Sequence, residues 1–231
     1  MGLDSNEPVD SEDLFKIEWY YLPLLKRLHG SEPRVLEHKL ASSPDFFCEV
    51  IAAAFHSEKE DRENETGISD DEKSIAHSAF ELLYGWRIIP GTQIDGTFDG
   101  DRFTTWLNET KDLCKESGHF KIAMGQIGQV LAFASPDPEG LWIHKTIAEA
   151  LNNKDVSDMR RGFTIGLFNK RGMHIFSYGE AEKQIAADYR IKTKALSDNG
   201  FFRIADAIRN LAEQYERDAE KDLRRGVFDD R

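Results

Sequence analysis

Long apolar runs are missing from this chain. None of its 231 residues lies in a stretch approaching the ~20 consecutive apolar residues of a membrane-spanning helix, so no membrane partner is expected. Cysteine is nearly absent, with only Cys48 and Cys114. That count excludes a disulfide scaffold, and no CxxC pair is present. Both cysteines sit among helical neighbours (FFCEVIAAAF and WLNETKDLCKE), which reads as two buried thiols in a reducing compartment. A bond between them needs an adjacency in space that spacing cannot show. The start, MGLDSNEPVDSEDLF, is acidic and lacks the apolar centre of a signal peptide. Asn6 stands where a myristoylation site carries Ser or Thr, and the expected location is the cytoplasm.

Catalytic and cofactor signatures are missing too. There is no HExxH, no GxxxxGK[ST] and no GxSxG, and none of the seven histidines pairs with another at the three- or four-residue spacing of a helical metal site. Asp95, Asp99 and Asp101 fall beside two glycines. Counted as a calcium loop from Asp95, however, the twelfth position is Trp106 where a bidentate carboxylate is required. Turn formation and helix capping account for these aspartates, with weak divalent-ion binding as the alternative. Gly125 to Gly128 is not a phosphate loop. Gly162 and Gly166 have the GxxxG spacing, which in a chain without membrane spans means a close helix crossing. Cys114 and His119 are five residues apart around Gly118 and define no catalytic geometry. No cofactor or metal is expected.

What the chain has is helical periodicity. In FFRIADAIRNLAEQYERDA the apolar residues Phe201, Ile204, Ala205, Ile208, Leu211, Ala212, Tyr215 and Ala219 follow a three-then-four rhythm. Other segments repeat it, and no strand pattern competes. The expected fold is all-α, an irregular bundle or stack of helical hairpins with about eight to ten helices. Residues 1–9 read as disordered, 10–225 as one helical domain with a charged loop at 56–68, and 226–231 as a disordered tail. A first helix runs from Asp10 or Ser11 to Leu28, interrupted by Pro23. A short one covers Pro33 to Ala41, and Ser43-Pro44-Asp45 opens the next. Ser69 and Glu72 form a capping box for a helix with Ile75, Ala79, Leu82, Leu83 and Trp86 inward. RIIPGTQIDGTFDGD breaks the helices, with a short hairpin at QIDGTF within 88–99. Asp99 or Asp101 caps a helix ending at Gly118, with Phe103, Trp106, Leu107, Leu113 and Cys114 inward. KIAMGQIGQVLAFA follows, with Ile122, Ile127, Val130, Leu131 and Phe133 inward, and Gly125 and Gly128 admitting a neighbour. LWIHKTIAEALNN and a helix through Val156, Met159, Phe163 and Leu167 come next, and residues 173–178 are read as extended. The last two helices, 180–197 and 201–222, join through Asp198-Asn199-Gly200 as an antiparallel hairpin.

Two features remain for biological work. The aromatics Phe15, Trp19, Tyr20 and Tyr21 exceed what one buried helix face needs, so Trp19 and Tyr20 are candidate partner contacts. Charge is also uneven: residues 1–73 hold 8 Lys+Arg against 18 Asp+Glu, whereas 160–203 hold 9 against 4. Arg160, Arg161, Lys170, Arg171, Arg190, Lys192 and Lys194 form a candidate basic patch, with His174, Phe176 and Tyr178 nearby in sequence. The segments GWRIIPG, GQIGQVLAF and RGFTIGLFNKRGMH mix Gly, Trp and Arg in ways a generic bundle does not need. The leading expectation is a non-catalytic cytoplasmic helical protein-interaction module, a subunit or adaptor with a protein partner. The alternatives are a nucleic-acid-associated regulator using 160–194, and an enzyme with a scattered, metal-assisted site at Asp95–Asp101.

Overall fold

The computed structural model describes residues 11–25, 32–59, 69–170 and 179–229. Among them are ten helices and no strand, as the periodicity requires. The N-terminal 1–9, most of the charged loop (60–68) and the 173–178 segment lie outside the described residues. No helix among the described residues is long and apolar enough to cross a membrane. The described residues fall into two compact units that divide between Ala123 and Met124. The division lies inside a helix, where no composition change marks it.

The first unit contains α1 (Ser11–Leu25), α2 (Arg34–Ser42), α3 (Pro44–Ala54), α4 (Asp70–Gly85), α5 (Gly100–Ser117) and the first turn of α6 (Phe120–Leu131). Its helix starts are written in the sequence. Ser43 Oγ accepts the Phe46 N–H at 3.3 Å, with Pro44 in the first helical position. Ser69 and Glu72 close their capping box at 3.2 and 2.7 Å. Asp99 takes the Asp101 and Arg102 N–H groups, and Gly118 ends α5 at φ +77°. Between α4 and α5 the chain makes a small hairpin. Thr92 bridges Phe98, and Gly91 sits at φ +88° with no room for a side chain against the Asp99 carbonyl.

The core gathers around Phe47 of α3, Trp86 and Trp106 of α5, whose ring centroids lie 5.2–6.2 Å apart. Ala79, Leu82 and Leu83 of α4 join it, but Ile75 is 48% exposed. Burial on α4 begins only at Ser78; of its first two turns only Ala76 is half-buried and the rest are exposed. Leu113 and Ile122 are half-buried.

The second unit contains the rest of α6, α7 (Lys145–Asn152), α8 (Ser157–Lys170), α9 (Glu180–Asp198) and α10 (Phe202–Asp229). Ile127, Val130 and Leu131 of α6 are buried, and Phe133 beyond it is half-buried. The LWIH of the expected helix is not helical. Asp137 accepts the Lys145 N–H at 2.7 Å and His144 accepts that of Thr146 at 3.3 Å, so α7 starts only at Lys145. In α8, Val156 just before it and Met159, Phe163 and Leu167 are buried as expected. The α9–α10 hairpin turns at Gly200 (φ +82°). Every residue of the Phe201–Ala219 stripe is buried. α10 continues to Asp229, past the expected end near 222, since Gly226 costs only about 1 kcal/mol of helix propensity and no proline follows.

Glycine sets the approach of α6 to α8. A Cβ on Gly128 would lie 2.1 Å from the Met159 carbonyl oxygen, and one on Gly162 would lie 2.0 Å from that of Gly125. A Cβ on Gly166 would lie 2.5 Å from the Gln129 carbonyl oxygen. The GxxxG spacing is therefore the close crossing it suggested.

Candidate protein-interaction surface

Helix α1 carries apolar residues in two stripes. Phe15, Trp19 and Leu22 follow i, i+4, i+7 and face the unit, Leu22 being fully buried. Leu14, Ile17 and Tyr21 follow i, i+3, i+7 one position earlier, and all three are exposed. Tyr20, beside them, is 85% exposed. One helix face suffices to anchor α1, so the second stripe leaves apolar and aromatic area in water.

The helix is held in place from within. Glu18 accepts the N–H groups of Val35 (3.2 Å) and Leu36 (2.9 Å). These are orphan donors at the start of α2, whose N-cap, Pro33, offers no side-chain acceptor. Phe15 meets Phe46 of α3 edge-on at 5.4 Å. Between the two helices Phe15, Trp19, Phe46, Glu49, Val50 and Ala53 line a groove of about 280 Å³. Glu49 is its one charged member. The first 123 residues hold 25 Asp+Glu against 13 Lys+Arg, so the whole net charge of −12 resides in them. A second aromatic row lies on α4, where Phe80 and Tyr84 are exposed and stacked at 6.4 Å, with Phe55 against Phe80 at 6.1 Å.

The basic set of the second unit is largely engaged at home. Arg160 donates to the carbonyls of Leu151 (3.0 Å) and Asn153, closing the end of α7. Lys170 reaches the Ala132 carbonyl at 3.4 Å and lies over the Phe133 ring. Arg190 forms a two-pronged pair with Glu216 at 2.9 and 2.8 Å, with Glu213 at 3.8 Å. That bond lowers the Glu216 carboxyl below its ordinary range and raises the Arg190 guanidinium. Lys192 sits over Trp142 (5.2 Å) and Tyr189 (4.9 Å). Lys194 pairs with Asp198 at 2.6 Å. Arg161 is exposed. Arg171, with His174, Phe176 and Tyr178, lies outside the described residues.

Of the three aspartates flagged in the sequence, Asp95 and Asp99 are engaged by neighbouring groups of their own turn. Asp95 accepts both the N–H and hydroxyl of Thr97, Asp99 caps α5, and Asp101 occupies its exposed first turn. No group of three or more His, Cys, Asp or Glu among the described residues is placed to hold a metal ion. One buried carboxyl is structural. Glu37 of α2 accepts the Arg87 (2.8 Å) and Ile88 (3.2 Å) N–H groups, and burial raises its pKa above the ordinary glutamate value. His119 links Phe55 O to Ser117 Oγ and does not approach the thiol of Cys114 by any hydrogen bond. GWRIIPG thus supplies a core tryptophan, the donors to Glu37 and the positive-φ glycine of the hairpin.

Comparison of the chain with protein-family models, curated proteins and solved structures finds no match in any of the three. Trp19 and Tyr20 stand out in the sequence as surplus aromatics, whereas the exposed Leu14 and Ile17 do not. The signal available was a second heptad-like stripe offset by one residue from the first.

Proposed function

We propose that the first unit is a non-catalytic protein-interaction module and that α1 is its docking face. The observation that carries this reading is the exposed stripe Leu14–Ile17–Tyr21 with Tyr20, alongside the α1–α3 groove. An apolar patch on a helix anchored by its opposite face is the usual form of a helix-in-groove or helix-on-helix contact. The acidic balance of the unit favours a partner segment that is amphipathic and basic, since charge complementarity speeds encounter and sets orientation. A cytoplasmic setting goes with this reading, supported by the low cysteine content. The nucleic-acid alternative has less support, because Arg160, Lys170, Arg190, Lys192 and Lys194 already serve carbonyls, carboxylates and rings of their own unit.

The test is paired co-purification. Full-length protein and the Ile17→Glu/Tyr21→Glu variant are isolated from the same native lysate at matched expression. A stoichiometric protein partner is expected with the wild type and with Arg160→Ala/Arg161→Ala, and lost with the α1 variant at unchanged melting temperature. A partner retained by the α1 variant, or no stoichiometric protein on the wild type, contradicts the proposal.

A further inference from the structure

Cys48 and Cys114 are 66 residues apart in sequence, yet their sulfurs lie 2.9 Å from each other. Cys48 stands on α3 and is half-buried, and Cys114 stands on α5 and is fully buried. The two helices are fixed by Phe47 and Trp106, whose rings meet at 5.2 Å, so the sulfurs are presented by rigid elements. We infer that Cys48 and Cys114 are a reversible dithiol–disulfide pair, with Cys48 as the attacking thiol and Cys114 as the resolving one. The bond requires the sulfurs to close from 2.9 Å to about 2.05 Å, within reach of small side-chain rotations.

Chemistry separates the two roles. The half-buried Cys48 sulfur is the one an oxidant can reach, whereas Cys114 is enclosed; in the same sense, the hydrogen bond between the thiols lowers the pKa of Cys48 and, with burial, raises that of Cys114. Burial opposes the lowering of the Cys48 pKa, and the nearby Asp45 and Glu49 charges add to that opposition. The oxidant is a small disulfide of the glutathione class. The Cys48 thiolate attacks one of its sulfurs, the S–S bond of glutathione breaks, and one glutathione leaves as a thiol after taking a proton. Cys114 then loses its proton and attacks the Cys48 sulfur. The mixed disulfide breaks, and the second glutathione leaves protonated. Two protein thiols are oxidised by two electrons, and one glutathione disulfide is reduced to two thiols. The product staples α3 to α5, and the inference does not rest on the proposed docking role of α1.

The test uses the full-length protein in glutathione buffers of stepped oxidised-to-reduced ratio, with acid quench, intact mass and non-reducing peptide mapping. The expected product is a monomer lighter by two hydrogens, carrying no glutathione, with a Cys48–Cys114 linked peptide that disappears on return to reduced glutathione. Cys114→Ser is expected to retain one glutathione at Cys48, while folded Cys48→Ser stays unmodified at Cys114. A urea-unfolded sample serves as the control for reagent competence. The inference is overturned if the folded wild type keeps both thiols or a stable glutathione adduct under conditions that oxidise the unfolded chain. Linkage between two chains overturns it equally.

Discussion

Replacing Gly162 by alanine tests the α6–α8 crossing most severely. The added Cβ would stand 2.0 Å from the Gly125 carbonyl oxygen and 2.8 Å from its carbon, against an ordinary contact that begins at 3.4 Å. Both are backbone atoms inside helices, so no rotamer change relieves the clash. The axes must part locally by about 1.4 Å, the gap between the 2.0 Å approach to the oxygen and the 3.4 Å ordinary contact. Gaps of 0.5–1 Å already forfeit roughly a quarter to a half of each dispersion contact, and Gly128 and Gly166 sit in the same seam. Overpacking of this kind costs about 1–3 kcal/mol or more, against a helix-propensity gain of about 1 kcal/mol for alanine over glycine. The clash puts the steric cost at or above the top of that range, so the net expectation is a loss of about 2 kcal/mol or more. Gly125→Ala is the control. Its own Cβ meets nothing within 4 Å, so only the propensity gain remains and the variant should gain up to about 1 kcal/mol. Urea unfolding of both variants and the wild type, followed by circular dichroism, reads the difference. A Gly162→Ala protein as stable as Gly125→Ala would refute the close crossing.

Other sites carry independent expectations. Leu211→Ala truncates a buried member of the α10 stripe and should lose about 2–5 kcal/mol, which a thermal melt checks. Asp137→Ala removes the acceptor for the Lys145 and Glu139 N–H groups and should lose about 0.5–2 kcal/mol near neutral pH. Those two bonds hold the Asp137 pKa below the ordinary aspartate value. Its stabilisation is therefore complete above that value and vanishes as pH falls through the depressed one, so the variant and wild-type melting curves should converge in acid. Glu37 works in the opposite sense. Burial raises its pKa, so the folded state binds its proton more tightly, and stability declines as pH rises from the ordinary glutamate value through the raised one. Glu37→Gln keeps an acceptor for Arg87 and Ile88 without the charge. Its stability relative to wild type should rise across that window and be flat below it, as measured by urea midpoints at stepped pH.

Local signals were the legible part of the fold. Ser43-Pro44, the Ser69–Glu72 box, Asp99 and Gly118 each act through backbone groups a few residues away, so their spacing suffices to place helix ends. The Phe201–Ala219 stripe was legible because one long face is buried without interruption. What escaped depends on partners distant in sequence. Ile75 has the periodicity of a core residue but lies in the exposed first turns of α4, ahead of the point where its burial begins. Asp137 delays α7 from eight residues away, and Glu18 caps a helix it does not belong to. The unit boundary falls within α6, where nothing in composition changes. At the candidate site, the surplus of aromatics on α1 was visible, but the partition of α1 into an inner and an outer stripe needed α2 and α3 in place. The basic run at 160–194 illustrates the converse. Counting cations cannot show that Arg190 faces Glu216 or that Lys192 lies over Trp142.

Hydroxyl-radical footprinting of the protein alone and in its native complex measures the docking face residue by residue. Labelling of Leu14, Ile17, Tyr20 and Tyr21 should fall several-fold in the complex, while exposed Ile191 and Phe202 of the second unit keep theirs. Unchanged labelling along α1, with protection falling instead on α8 and α9, would contradict the assignment of α1 as the surface that does this protein's work.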